Sequence, residues 1–146
     1  MTGKLLLKVG TCQAPPVRNA IRLGLTNVLE ILFSTSYNVN YRDEDGITAL
    51  HWACYNFPVA EWLLELTKEN DTIDLTARDT VGKTAFHLAC QEGRTEIAKM
   101  ILDLSKENDA IDLNARINNV GWTPFLSACR EGNTEIVKLI IGNVQP

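Results

Sequence analysis

The sequence repeats itself, and this periodicity constrains the fold more than any other feature. Residues 82–102 read GKTAFHLACQEGRTEIAKMIL and contain a threonine, an alanine and a glycine at fixed offsets, namely Thr84, Ala89 and Gly93. The same residue types recur 39 positions later, at Thr123, Ala128 and Gly132. Such a recurrence predicts copies of one supersecondary unit, which must stack on one another to bury their apolar faces.

Two earlier copies precede these, at shorter spacings. Moving back 36 residues from Thr84 gives Thr48, and a further 33 residues gives Pro15. The spacings differ because the tracts LELTKENDTIDLTAR and LDLSKENDAIDLNAR lengthen the second and third copies at helix ends and loops. We therefore predict four repeats, at about 15–44, 45–80, 81–119 and 120–146, preceded by an N-terminal cap or remnant helix within residues 1–14.

Each copy has the pattern of two short amphipathic helices separated by a turn. In residues 82–102, Thr84 is the expected N-cap of the first helix, and Gly93 allows the left-handed turn before the second. Neither helix can bury its apolar stripe alone, so neighbouring copies must cover it. On this basis we predict that Val28, Ile31 and Leu32 of the first copy pack against the second. Their expected partners are Val59, Trp62 and Leu63.

The repeated hexapeptide resembles the ankyrin repeat signature, T-P-L-H-x-A, which recurs about every 33 residues. It reads TALHWA at 48–53, TAFHLA at 84–89 and TPFLSA at 123–128, and it is degenerate at 15–20. The resemblance implies an all-α ankyrin-repeat solenoid, built from helix-turn-helix units with β-hairpin or loop fingers. It further implies that His51 and His87 hydrogen-bond across the turn, to Thr48 and Thr84.

Composition and charge argue against several classes of protein. The net charge of −4 offers no basic face for nucleic acid. No apolar run approaches the roughly 18–20 residues of a membrane-spanning helix or forms a signal-peptide core. We therefore expect no nucleic-acid or membrane partner, and an intracellular protein of the cytoplasm, the nucleus or both.

The histidines and cysteines do not form a pattern that indicates chemistry. Cys54, Cys90 and Cys129 each follow the signature alanine, so we interpret them as small apolar residues between helices. No C-x-x-C pair and no G-x-S-x-G, P-loop or H-E-x-x-H motif occurs in the sequence. We expect no metal, no cofactor and no catalytic activity of the chain's own.

The resemblance places the binding surface on the finger tips and the exposed side of each first helix. The residues predicted to bind a protein partner are Arg42, Glu44, Asp45, Ile47, Tyr55, Asn56, Arg78, Thr80, Val81, Lys83, Gln91, Glu92, Asn119, Val120, Trp122, Arg130 and Glu131. Because aromatic side chains dominate interface energetics, Trp122 is the first expected anchor and Tyr55 the second. The alternative for Trp122 is that it packs only on its own hairpin.

The sequence thus predicts a non-catalytic protein–protein interaction module, acting as an adaptor, a scaffold or a regulatory binding domain. The alternative is a substrate-recruiting ankyrin segment of a larger enzyme or multidomain protein. The last copy has the pattern of an internal repeat, so its outer stripe, including Phe125, Ile136 and Ile140, should be partly exposed. That stripe could bind further ankyrin repeats or a second copy of the chain.

Overall fold

The computed structural model describes residues 15–35, 37–70, 73–107, 112–117 and 120–144. These residues form eight α-helices and no strand, which confirms the predicted all-α class. The helices are α1 (Pro15–Leu23), α2 (Thr26–Thr35), α3 (Ala49–Ala53), α4 (Phe57–Asn70), α5 (Ala85–Gln91), α6 (Thr95–Ser105), α7 (Pro124–Glu131) and α8 (Thr134–Val144). Each consecutive pair falls within one predicted repeat, although the repeat boundaries themselves stay a prediction. The predicted cap over 1–14 lies outside the described residues.

The helices belong to two compact units, residues 1–74 and 75–146. In the first unit, α1 packs against α2 and α3, and α3 packs against α4. Ile21, Leu29 and Leu63 are almost completely buried in this unit, at 2 % exposure or less. The rings of Phe33 and Trp62 add a stacked pair, with centroids 6.5 Å apart and planes 12° from parallel.

The predicted core face of α2 is wrong by one position. Val28 and Ile31 are 42 % and 62 % exposed, whereas Leu29 is fully buried. Residues three and four positions apart share a helix face, so the inward face runs from Leu29 through Leu32 and Phe33. Val28 and Ile31 each precede a member of that face and are turned away from it.

In the second unit, α5 packs against α6 and α7, and α8 packs against both α6 and α7. The prediction that Ile136 and Ile140 are partly exposed is wrong, because they are 0 % and 8 % exposed. They lie one turn apart, on the face of α8 that packs within this unit. The exposed apolar side chains of the last pair are instead Leu126 and Ile141, while Phe125 is half-buried as predicted.

The first helices begin where the signature threonines predict. The hydroxyl groups of Thr48 and Thr84 accept the backbone N–H of His51 and His87, at 3.4 and 3.3 Å. Each histidine reciprocates, since its Nδ1 accepts the threonine's own backbone N–H at 3.1 and 3.0 Å. The predicted histidine–threonine contacts are confirmed. They complete a capping box that satisfies two otherwise unpaired donors at each helix start.

The fingers are finger 1 (residues 42–47), finger 2 (78–83) and finger 3 (116–122, of which 118 and 119 lie outside the described residues). Backbone hydrogen bonds close them, from Asp43 to Ile47, from Asp79 to Lys83 and from Ile117 to Trp122. In finger 2 the Asp79 carboxylate also accepts the N–H groups of Val81 and Lys83, at 3.0 and 2.8 Å. Asp43 holds finger 1 in the same way. Finger 3 is one residue longer and has Ile117 in the aspartate's place.

Candidate functional site

A groove of about 510 Å³ lies in the second unit, bounded by fingers 2 and 3 and by side chains of α5 and α7. It is lined by Val81, Lys83, Gln91, Ile117, Val120, Trp122, Ser127, Arg130 and Glu131. All of these except Ile117 and Ser127 are among the residues that the sequence predicted to bind a partner. The structure therefore brings together seven of the predicted residues of the third and fourth repeats on one concave surface.

The groove has an apolar wall that is open to solvent. Val81 of finger 2 is 40 % exposed and Val120 of finger 3 is 62 % exposed. Ile117 and Trp122, which close finger 3 at its base, are both half-buried beside them. Single exposed apolar residues are ordinary on a protein surface, but a contiguous group in a concavity is typical of an interaction site.

Polar side chains form the rest of the groove. The ammonium of Lys83 donates to the amide oxygen of Gln91 at 3.0 Å, joining finger 2 to α5. The guanidinium carbon of Arg130 lies 5.2 Å from the ring centroid of Trp122, within the range of a cation–π contact. Glu131 is 3.9 Å from Arg130, but both side chains are well exposed and their ion pair contributes little stability.

The position of Trp122 bears on the alternative that it packs only on its own hairpin. Its ring contacts Arg130, which is a residue of α7 and not of finger 3. Its side chain also lines the groove together with Val81 of the neighbouring finger. Trp122 thus belongs to finger 3, contacts α7 and lines the groove. Its role in binding a partner stays a prediction.

Finger 3 is held in place by a side chain of α5 and a side chain of finger 2. Nε2 of His87 lies 2.7 Å from the carbonyl oxygen of Ala115, just before the finger begins. Arg78 donates through Nε to the carbonyl of Gly82, at 3.1 Å, and through a terminal nitrogen to the carbonyl of Arg116. His87 and Arg78 therefore fix the base of the finger that presents the apolar wall.

The protonation state of His87 follows from its partners. Because the backbone N–H of Thr84 can only donate, the Nδ1 that receives it must be unprotonated, and Nε2 carries the proton given to Ala115. His87 is completely buried, and burial lowers its pKa below the ordinary value of 6.5. The hydrogen bonds to the carbonyls of Ala115 and Trp122 act in the opposite direction. The neutral ring is therefore a structural connection between α5 and the segment that leads into finger 3.

The other predicted residues of the second unit surround this groove or support it. Arg78 lies at the finger bases, as described above. Thr80 is exposed at the tip of finger 2. Glu92 is exposed at the end of α5, and its carboxylate accepts a hydrogen bond from Gln91 at 3.5 Å. The predicted Asn119 lies outside the described residues.

The predicted residues of the first unit do not belong to the groove. Arg42, Glu44 and Asp45 are exposed on finger 1, and Ile47 at its end is half-buried. Tyr55, the second expected anchor, is 50 % exposed after α3. These positions are accessible to a partner, and their binding role stays a prediction.

Asn56 is different, because its side chain joins neighbouring helices. Its amide nitrogen donates to the carbonyl of Arg22 at the end of α1, at 3.3 Å. Its amide oxygen lies 3.4 Å from the backbone N–H of Val59 in the first turn of α4. In the last repeat, Asn133 takes the same position, and its amide donates to the carbonyls of Cys90 and Gln91. The structure thus gives Asn56 a stacking role that the sequence prediction did not include.

Two groove residues, Ile117 and Ser127, were not predicted from the sequence. Ser127 takes the variable position of the signature, where the earlier copies have Trp52 and Leu88. Ile117 replaces the aspartate found at Asp43 and Asp79, which was a visible departure from the repeat. Comparing the copies position by position would have shown that both residues differ from their counterparts in the other copies.

Within the described residues, no group of histidine, cysteine or acidic side chains could hold a metal ion. Cys54 and Cys90 are fully buried beside their signature alanines, as interpreted from the sequence. Cys129 departs from that interpretation because it is exposed, and no further helix pair among the described residues covers it. No helix of the described segments has the length and apolar character needed to cross a membrane.

Comparison with known families agrees with the repeat pattern. A family model described as ankyrin repeats (3 copies) matches residues 73–145. A second model, described as ankyrin repeats (many copies), matches residues 19–64. Together the two matches cover α2, α3 and α5 to α8 and the larger part of both α1 and α4. A search of curated proteins gave no match.

Proposed function

We propose that this chain, which belongs to the ankyrin repeat family, is an adaptor or scaffold that binds a protein partner in the groove of its second unit. Ankyrin repeats are generally protein–protein interaction modules and typically have no catalytic activity. The observation that carries the proposal is the set of exposed apolar side chains on fingers 2 and 3, gathered in one concavity. Exposed residues of finger 1 and Tyr55 are proposed as a second contact surface, separate from the groove, that short peptides bound in the groove do not use.

The way in which the groove is built supports this proposal. Its walls rest on helices whose ends are capped and whose finger bases are tied by His87 and Arg78. A site that is rigid before binding loses little conformational entropy when the partner arrives. A concave apolar surface with a polar rim is also the usual composition of a binding site for a short peptide segment.

Peptide selection on the intact chain tests the proposal. Short random peptides are displayed and selected for binding, and the winners are titrated by calorimetry against the wild type, Trp122→Ala and Tyr55→Ala. Because Trp122 lines the groove, its truncation should weaken binding at least tenfold, equivalent to about 1.4 kcal/mol. Tyr55→Ala is the matched aromatic control from the other unit and should change the affinity less than threefold or so.

The outcomes separate the two surfaces. Loss of affinity in Trp122→Ala alone supports the groove as the binding site. Loss in Tyr55→Ala alone would move the site to the first unit and overturn the assignment to the groove. If no peptide distinguishes Trp122→Ala from the wild type, the groove is not the recognition surface and the proposal is wrong.

A further inference from the structure

We infer that the groove selects a peptide segment in which a large apolar side chain stands next to a carboxylate. The inference rests on the proposed function, because it names the ligand chemistry of the same groove. Two independent observations support it. One is the replacement of a structural aspartate by Ile117 in finger 3, and the other is the distribution of charge around the apolar wall.

The first observation indicates what the centre of the groove binds. In fingers 1 and 2 an aspartate stabilises the turn by accepting two backbone N–H groups. The side chain of Ile117 in finger 3 has no group that could accept such bonds, and it instead lines the groove beside Val120 and Trp122. When a residue departs from the turn pattern of the other copies and the turn itself gains nothing, the position is typically a functional one. The apolar wall is therefore selected for an apolar ligand side chain.

The second observation indicates what stands beside that side chain. Lys83 and Arg130 both line the groove, against one acidic lining residue, Glu131. The described parts of fingers 2 and 3 carry three cations, Arg78, Lys83 and Arg116, and one carboxylate, Asp79. That carboxylate already accepts two backbone N–H groups within its own finger. In a chain of net charge −4, the lining of this groove thus has two cations against one carboxylate.

Finger 1 provides an internal contrast within the same chain. It carries Arg42 together with three carboxylates, Asp43, Glu44 and Asp45. A finger of that composition would repel an acidic ligand, whereas fingers 2 and 3 attract one. Lys83 and Arg130 have long apolar stems that can lie along the wall while their charged ends meet a carboxylate. An acidic residue adjacent to the apolar anchor is the complement of this arrangement.

The test compares three synthetic peptides derived from the peptides that the display selection identifies. One is the selected sequence, one has its acidic residue changed to the corresponding amide, and one has its apolar anchor changed to alanine. Each is titrated against the wild-type chain, Lys83→Met and Lys99→Met. Lys99 is an exposed residue of α6 and is the matched control for the loss of one positive charge.

We expect the selected peptides to share an apolar–acidic pair, and both the amide and the alanine peptides to bind at least tenfold more weakly. Lys83→Met should weaken the acidic peptide several-fold but leave the amide peptide unchanged, and Lys99→Met should affect neither. The affinity of the acidic peptide alone should fall as salt is added, because added salt screens the charge pair.

The outcomes distinguish this inference from the proposed function. If winners carry no acidic preference, or if Lys83→Met weakens the acidic and amide peptides equally, the inference is overturned. Trp122-dependent binding of those same peptides would still support the proposed function. If no peptide binding depends on Trp122, both proposals fail. Lys83-dependent binding of a short single-stranded RNA, in the absence of any peptide binding, would also overturn the inference.

Discussion

Nε2 of His87 donates to the carbonyl oxygen of Ala115 across 2.7 Å, so a buried ring in α5 holds the segment that leads into finger 3. The same ring completes the capping box of its own helix through Thr84. One side chain thus connects the start of α5 to the segment before finger 3. The geometry of the groove depends on this connection, because Ala115 leads into finger 3, which carries Ile117 and Trp122.

Replacing His87 by leucine should destabilise the protein by about 2–4 kcal/mol. The substitution leaves the Thr84 N–H and the Ala115 carbonyl without their partner in a buried environment, and each unpaired group costs about 1–3 kcal/mol. The change in the free energy of unfolding is measured by urea titration of the intact chain.

Leu126→His is the matched control, because Leu126 takes the histidine's place in the last signature and is 46 % exposed. It should change stability by no more than about 0.5 kcal/mol, as exposed substitutions usually do. Equal effects of the two substitutions would show that the contact between His87 and Ala115 carries no stability.

Stability should also fall as the solution is acidified, through the protonation of His87. Burial lowers the pKa of His87 in the folded state below 6.5, and the nearby Arg78 acts in the same direction, so the unfolded chain binds the proton more readily. The stability contribution is therefore complete above about pH 6.5 and is lost as the pH falls below that value. The slope from this one group cannot exceed about 1.4 kcal/mol per pH unit.

Urea titrations of the wild type and His87→Leu at several pH values check this prediction. The difference between their free energies of unfolding should be largest near neutrality and should shrink on acidification, because the variant has lost the group that titrates. Taking the difference removes the contributions of all other titratable groups, including His51. A difference that stays constant between pH 7 and pH 5, roughly spanning the ordinary histidine range, would contradict the prediction.

The two turn glycines Gly93 and Gly132 have the same backbone conformation, but only Gly93 has another side chain close to the place that a Cβ would take. Both have left-handed backbones, with φ of 70° and 73°. A Cβ on Gly93 would lie 3.0 Å from the amide oxygen of Asn133, whereas a Cβ on Gly132 meets nothing within 4 Å. Alanine at either position should cost about 1–2 kcal/mol for the left-handed conformation.

Gly93→Ala should cost about 1 kcal/mol more than Gly132→Ala. The added methyl group would displace Asn133, whose amide donates to the Cys90 carbonyl, and a hydrogen bond of this kind is worth about 1 kcal/mol. Thermal and urea unfolding of both variants provide the measurement. Equal costs would mean that Asn133 moves aside without loss, and its hydrogen bonds would then contribute nothing to the stacking.

Much of the fold could be predicted because the repeat pattern constrains many residues at once. Thr84 and Gly93 recur at fixed offsets, so helix starts and turns are indicated by several copies and not by one. The inward face of α2 could not be predicted in this way. Its sequence, TNVLEILFST, has apolar residues on nearly every side, and periodicity does not distinguish Leu29 from Val28. The same ambiguity explains the error at Ile136 and Ile140, since α8 reads TEIVKLIIGNV.

Part of the candidate site could be predicted, because the family resemblance places binding on the finger tips and the first helices. Val81 was chosen for its place on a finger, and Trp122 was ranked first because aromatic side chains dominate interface energetics. Ile117 was missed because an isoleucine near a predicted loop resembles ordinary core patterning. Its significance depends on two facts that require coordinates, namely that Asp43 and Asp79 hold their turns and that Ile117 lines the groove.

Restoring the aspartate, as Ile117→Asp, should separate stability from binding. The carboxylate can again accept backbone N–H groups of the finger, which offsets the loss of a half-buried apolar side chain. We expect the free energy of unfolding to change by about 1 kcal/mol or less. Binding of the selected peptides should fall at least tenfold, because the substitution places a charge in the apolar wall and repels an acidic ligand.

Ile117→Val is the control that keeps the wall apolar, and it should retain binding within about fourfold, since it removes one methylene worth about 0.8 kcal/mol. Calorimetric titration and urea unfolding are measured on the same preparations of both variants. An Ile117→Asp chain that folds as stably as the wild type and still binds with full affinity would show that the wall does not contact the ligand. If the variant loses affinity but keeps its free energy of unfolding, Ile117 serves ligand binding at the expense of the hydrogen bonds that an aspartate would add to the turn.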